Sequence, residues 1–360
     1  MHILHVVGAR PNFMKAAPVL RALALHSAVR QSLVHTGQHY DSAMSDVFFQ
    51  QLQMPVPDCN LGVGSGTHAQ QTAAVLTAIE PVLLERKPDL VLVYGDVNST
   101  IAAALVCSKV GICVGHVEAG LRSRDRSMPE EINRLVTDQL SDLLFTPSED
   151  GNQNLHAEGI DEGKVHLVGN VMIDTLVRLL PQAERESPAE IEGPYALVTL
   201  HRPSNVDDLP WLQEMLSTLS QLSEELNIIF PVHPRTRKRL DGLGSSIAAN
   251  GRLRLLDPFP YLSFLALQAR AAMVITDSGG IQEETSYLHV PCLTVRENTE
   301  RPITVTLGTN QLVGRDLVKL KQAARQILSK ESEPAVQAGC PIPLWDGHAS
   351  ERIAEIILHR

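Results

Sequence analysis

Residues 116–134 read His-Val-Glu-Ala-Gly-Leu-Arg-Ser-Arg-Asp-Arg-Ser-Met-Pro-Glu-Glu-Ile-Asn-Arg, directly behind an apolar run, Gly111 to Gly115. Four carboxylates and four arginines share these nineteen residues. Charge at that density behind a buried strand is either a solvated rim or a set of groups aimed at a ligand. Glu118 stands one residue past Val117 and has no helix to cap. Carboxylates crowded at a buried sheet edge acquire the shifted pKa values that general acid–base work requires. Asp96, in Gly95-Asp96-Val97-Asn98, is a second candidate, and capping the helix from Asn98 is its ordinary explanation. Glu130 behind Pro129 is a third, although acids favour a helix's first turn in any case. His201 directly follows an apolar run and should face the same kind of edge, whereas His116 reads as a satisfied core histidine. His35 and His39 are four apart, but Gly37 between them argues against a zinc-binding helix.

A second chemistry is anion binding. Ser278-Gly279-Gly280 ends a strand pattern and opens a helix, so its N–H groups suit a phosphate; a plain glycine turn fits equally well. Arg10 and Lys15 lie at the mouth of the first helix, where cations oppose the dipole and an anionic ligand would explain them. Arg301 is a weaker candidate whose alternative is a loop ion pair. There is no Walker A pattern, and Gly62 to Thr67 lacks the third glycine of the dinucleotide fingerprint, so no nicotinamide or other cofactor is expected.

These residues need elements to hold them. Strand patterns at 2–7, 31–35, 89–94, 112–117 and 142–146 alternate with helical stretches at 13–26, 68–86, 98–110 and 129–140, the mark of βαβ units and a parallel sheet. The stretch Pro181 to Pro194 interrupts the pattern. It then restarts, with strands near 195–200, 227–232, 253–256, 272–276 and 291–294 and helices near 210–225, 260–269, 280–288 and 316–329. Two doubly wound α/β domains around a cleft are expected, with a helical tail at 348–360. The 360-residue length supports two domains. A net charge of −10 disfavours nucleic-acid and membrane-surface partners. Lys109 interrupts the most apolar run, 101–115, so no membrane span is expected. The apolar run Ile3 to Val7 is too short for a signal peptide. Five cysteines without CxxC spacing fit a reducing cytoplasm and neither disulfides nor structural zinc.

With these loops in hand, the chain resembles the non-hydrolysing UDP-N-acetylglucosamine 2-epimerases. The motifs run in order across almost the whole sequence: Gly8-Ala9-Arg10-Pro11 with Lys15, Gly37-Gln38-His39, Gly95-Asp96, His116-Val117-Glu118-Ala119-Gly120, Pro129-Glu130-Glu131, His201-Arg202, Asp277-Ser278-Gly279-Gly280 and Glu300-Arg301-Pro302. The resemblance implies a glycosyltransferase-B type fold with two Rossmann-like domains, 1–170 and 171–345, and a C-terminal helix, 346–360, that packs back on the first. It implies Asp96, Glu118, Glu130 and His201 around the sugar, Ser278, Gly279 and Gly280 on phosphate, Glu284 on ribose, Phe264 at the base, and Arg10, Lys15 and Arg301 as further substrate contacts. A homodimer is a family expectation.

The implied reaction needs no cofactor. The proton on sugar carbon 2 adjoins no carbonyl, so UDP leaves first or nearly first, and a carboxylate then removes the proton to give a 2-acetamidoglucal. Reprotonation from the other face and return of UDP give UDP-N-acetylmannosamine. Three departures, Asn12 in place of a glutamate, Val97-Asn98-Ser99 in place of threonines, and Pro203-Ser204 in place of Arg-Glu, leave related UDP-2-acetamido sugars open as substrates. A hydrolysing epimerase, a glycosyltransferase on the same fold and a non-catalytic UDP-sugar sensor are the rival readings. Many bacterial relatives use a second substrate molecule as activator, bound through the Gln-His loop and the arginine that Pro203 replaces. With Pro203 and Tyr40 here, that requirement is expected to be absent.

Overall fold

The computed structural model describes residues 1–37, 49, 51–186, 191–241, 251–329 and 342–360. Gln38, His39, Tyr40 and Cys340 lie outside the described residues. The chain forms two compact units, residues 1–175 with 343–360, and residues 176–342.

The first unit is a seven-stranded sheet: β1 (His2–Val7), β2 (Arg30–His35), β3 (Cys59–Asn60), β4 (Leu90–Tyr94), β5 (Cys113–Val117), β6 (Leu143–Thr146) and β7 (Val165–Leu167), in the order β3-β2-β1-β4-β5-β6-β7. All its pairings are parallel, with Val6 opposite Val34 on one side and Val93 on the other. The runs that build it are near-continuously apolar because helices cover both faces. Leu4, Val6, Val34, Val91, Val93 and Val114 pack against Ile79 and Leu83 of the helix His68–Arg86 and Ala103 and Cys107 of the helix Asn98–Val110. Thr67 starts the first of these helices with a reciprocal Thr–Gln box, and Gly111 in the left-handed region ends the second.

The C-terminal helix Ala349–Leu358 packs on the helix Arg10–Ala24 of this same unit. Asp174 holds its start, accepting from the N–H groups of Ala349 (3.1 Å) and Ser350 (2.7 Å). The Trp345 indole donates to the Pro147 carbonyl at 2.9 Å.

The second unit is a six-stranded parallel sheet: β8 (Tyr195–Thr199), β9 (Asn227–Pro231), β10 (Leu253–Leu256), β11 (Met273–Thr276), β12 (Cys292–Thr294) and β13 (Asn310–Leu312), ordered β10-β9-β8-β11-β12-β13. Both sheets are therefore doubly wound, as expected. The expected strands and helices are present with ends displaced by a few residues. The two- or three-residue β3, β7 and β13 and the helices Glu149–Ala157 and Val171–Ala183 are additions. The last of these runs through Pro181, so the interruption begins three residues later than that proline suggests.

This strand order decides where ligands go. An open α/β sheet binds at the carboxyl ends of the two strands where the order reverses. In the first sheet these are β1 and β4, which deliver Gly8–Arg10 and Gly95–Asp96. In the second they are β8 and β11, which deliver Leu200–Pro203 and Asp277–Gly280. Both reversal points carry sequence-selected residues.

Candidate active site

In the first unit, the turn after β1 is built by Asn12. Its Oδ1 accepts from the N–H groups of Gly8 (3.0 Å) and Ala9 (3.1 Å), and its Nδ2 donates to the Tyr94 carbonyl at 2.7 Å. An amide both accepts and donates here, which an ionised carboxylate cannot do, and Asn12 is buried, so its side chain serves the backbone. Lys15 projects from the next turn and ion-pairs with Glu118 from the end of β5; the two are 6% and 5% exposed. The anion that Lys15 meets is thus a protein carboxylate. Gly95 lies against the pair: a Cβ there would sit 2.5 Å from Lys15 Nζ and 3.1 Å from Glu118 Oε2, and its φ of +62° suits only glycine well.

Asp96 does not cap the helix that follows it; Val97 holds the cap position. Its carboxylate instead pairs with Arg134 of the helix Pro129–Leu140. Glu130 is four residues before Arg134, hence on the same helix face, one turn nearer the N-terminus. It is half-buried. Arg10 is exposed at the first turn of its helix. Asp96, Glu118, Lys15, Arg134 and the face bearing Glu130 therefore converge at the ends of β4 and β5.

A buried charge network holds this convergence. Glu118 has a φ of +75°, a conformation costing on the order of 1–3 kcal/mol outside glycine. The Phe145 carbonyl fixes it by accepting from both Glu118 N and Ala119 N at 3.0 Å. His116 is fully buried, with Nδ1 2.6 Å from Asp138 and Nε2 2.8 Å from the Gly95 carbonyl. Asp138 also takes the Gly120 N–H (3.1 Å) and the Arg122 guanidinium (2.7 Å), and Arg122 forks onto Glu158. Burial would raise Asp138, but the charges of His116 and Arg122 hold it below the ordinary aspartate value. Glu131, not Glu130, is the structural acid of its pair. It accepts from Ser123 N, Arg124 N and Arg134, and despite burial these contacts lower its pKa.

In the second unit, Asp277 directly follows β11, fully buried, and gathers the loop after β8. It accepts from His201 N and Arg202 N, from Asn205 Nδ2, and faces His201 Nδ1 at 2.9 Å. Ser278 then caps the helix Gly279–Leu288 without a side-chain bond, and no acid occupies the first turn. Such an N-terminus attracts an anion. Arg301 lies across it, close enough that a Cβ on Gly279 would meet its Nη1 at 2.5 Å and push the guanidinium aside. Glu283 accepts from Arg301 Nε at 2.5 Å. Glu300 sits among Arg296, Arg301 and Arg202, whose charges overcome burial and hold it far below the ordinary glutamate value. Glu284 is buried and accepts from Tyr261 Oη at 2.8 Å, while Phe264 is half-buried on the helix Tyr261–Arg270.

The UDP-N-acetylglucosamine 2-epimerase family model matches residues 21–358. The chain belongs to this family. The Methanocaldococcus jannaschii UDP-N-acetylglucosamine 2-epimerase is 42% identical over 370 residues, covering all of this chain and 99% of that protein. Its crystal structure in complex with UDP-GlcNAc and UDP matches with a TM-score of 0.90 across the whole of both chains. The Neisseria meningitidis enzyme bound to UDP-GlcNAc gives 0.90 at 32% identity, again over both whole chains. A UDP-2,3-diacetamido-2,3-dideoxy-D-glucuronate 2-epimerase from Pseudomonas aeruginosa is 40% identical over 99% of each chain. The kitacinnamycin glycotransferase, at 14% identity and a TM-score of 0.63, shares the fold.

Arg134, Glu131 and Asp277 are not among the candidate site residues of the sequence, although Glu131 and Asp277 stand within its motifs; the structure pairs Arg134 with Asp96 and Glu131, and Asp277 with His201. Spacing carried a signal for two of them: Arg134 lies four after Glu130, and Asp277 immediately before the glycine turn. Among the described residues no group of three His, Cys, Asp or Glu side chains could hold a metal ion, and no helix is long and apolar enough to cross a membrane.

Proposed function

We propose that this protein interconverts UDP-N-acetylglucosamine and UDP-N-acetylmannosamine by eliminating and re-adding UDP, without a cofactor. One observation carries the reading: at the carboxyl ends of β4 and β5, beside the reversal point of the first sheet, Asp96 and Glu118 emerge next to cations and to the Glu130 helix face, in a chain of this family. The C1–O bond to the diphosphate breaks, the electron pair leaving with UDP. A carboxylate among Asp96, Glu118 and Glu130 takes the C2 proton, and the 2-acetamidoglucal forms. Protonation at C2 from the opposite face and attack by UDP at C1 complete the exchange. The N-terminus at Ser278–Gly280 with Arg301 holds the diphosphate, stabilising the charge that develops as it leaves. Arg10 adds positive charge, Lys15 holds the Glu118 carboxylate in place, Glu284 binds the ribose, Phe264 packs on the base, and His201 serves the glycosidic oxygen. The protein works as a cytoplasmic homodimer on this reading.

Incubation with UDP-N-acetylglucosamine in deuterated water, with EDTA present and no nicotinamide added, tests this by NMR. A UDP-N-acetylmannosamine deuterated at C2 is expected. Free N-acetylmannosamine would make the protein a hydrolase, and no exchange on this sugar or on the diacetamido uronate would make it a sensor or transferase. The Pseudomonas relative favours a second reading, a 2,3-diacetamido uronate substrate, and the same exchange run on that sugar compares the two.

A further inference from the structure

The geometry points to Asp277 as the positioning residue that fixes which nitrogen of His201 is offered to substrate. This rests on the reading of His201 as a substrate-facing group. His201 is half out of the protein, its side chain 51% exposed, yet its backbone and ring are both tied to one fully buried carboxylate. Asp277 Oδ1 faces Nδ1 at 2.9 Å and takes the His201 N–H at 3.1 Å. The other oxygen, Oδ2, is occupied by Arg202 N and Asn205 Nδ2, each at 3.0 Å. An ionised carboxylate only accepts, so Nδ1 must carry a proton, and Nε2 is left as the atom directed outward. Burial would push Asp277 towards protonation; the bonds from His201, Asn205 and Arg202 overcome that and hold it below the ordinary aspartate range. The free side chain favours the opposite tautomer, with the proton on Nε2. Asp277 therefore reverses an intrinsic preference, and the histidine presents a basic Nε2, or an Nε2–H once protonated, in a fixed direction.

A purely structural role would make Asp277 a strap for the loop after β8, and histidine-selective nitrogen-15 NMR separates the two. On the wild-type protein, with the His201 signal assigned through His201→Gln, protonated Nδ1 and bare Nε2 are expected at high pH. A bare Nδ1 there overturns the proposal whatever the substrate is, because no substrate is added. In Asp277→Asn the tautomer should revert, and turnover should fall by roughly 10²-fold or more with KM nearly unchanged. Asn205→Ala removes another of the strap's bonds but leaves Nδ1 facing Asp277. It should keep the wild-type tautomer and cost less turnover than Asp277→Asn. Equal losses with unchanged tautomers would show that Asp277 only ties down the loop.

Discussion

Lys15 and Glu118 are each nearly out of water, and each is the other's counter-charge. Removing one member of such a pair leaves a buried charge uncompensated, at a cost of about 3–5 kcal/mol. Lys15→Ala is therefore expected to destabilise the protein on that scale in urea unfolding. Glu118→Gln and Asp96→Asn remove the base, so epimerisation per folded molecule should fall by roughly 10²-fold or more while UDP affinity stays within a few-fold, and Glu118→Gln, which strands the Lys15 charge, should also lose stability. Near-normal turnover in both would leave these carboxylates structural. Glu118 was legible in the sequence as an acid past a strand end. Its pairing with Lys15 was not, because the two are 103 residues apart and meet only through the strand order. Pro203 belongs to this scale too: it begins the short helix Pro203–Val206, where its missing N–H costs nothing, and it offers no cation to a second nucleotide sugar. UDP-N-acetylmannosamine alone is expected to react without a lag; a lag abolished by trace UDP-N-acetylglucosamine would refute this.

At the level of elements, the C-terminal helix shows what one capping acid does. Asp174 supplies the acceptor for the Ala349 and Ser350 N–H groups across 175 residues of sequence, so it ties the end of the chain to the first unit. Asp174→Ala should cost about 0.5–2 kcal/mol, the usual range for a lost cap, with turnover per folded molecule little changed. A loss confined to activity, at unchanged melting temperature, would contradict this. The strands of both sheets were readable because a doubly covered parallel sheet demands long apolar runs such as Leu90–Tyr94. Cys59–Asn60 and Asn310–Leu312 were not, since two or three residues at a sheet edge carry no periodic signal. The helix Val171–Ala183 hid behind Pro181, and the caps that span the chain, Asp174 among them, have no local pattern at all.

Across the whole molecule, acid sensitivity follows from groups buried in one protonation state. His5 lies fully buried in β1, its Nδ1 2.6 Å from Tyr94 Oη, and burial pulls its pKa from 6.5 down to about 3, with Gln31 opposing weakly. Burial lowers His35 and His166 as well. A histidine whose folded pKa is depressed gives stability that is complete above its unfolded value and lost as pH falls towards the folded one. Between 6.5 and about 3 the unfolded chain takes up a proton that folded His5 refuses, a slope of about 1.4 kcal/mol per pH unit for that one site. Asp138, Asp277 and Glu131 are lowered carboxylates, so their contributions are lost only below their unfolded values near 3.8 and 4.5. Asp174, raised by burial, acts in the opposite sense as pH rises. The histidines therefore open the acid limb first. Urea unfolding against pH should show stability declining from about 6.5 rather than from the carboxylate range, and His5→Gln should flatten that upper segment. A stability curve level from pH 7 down to 4.5 would mean that His5 accepts its proton inside the folded sheet.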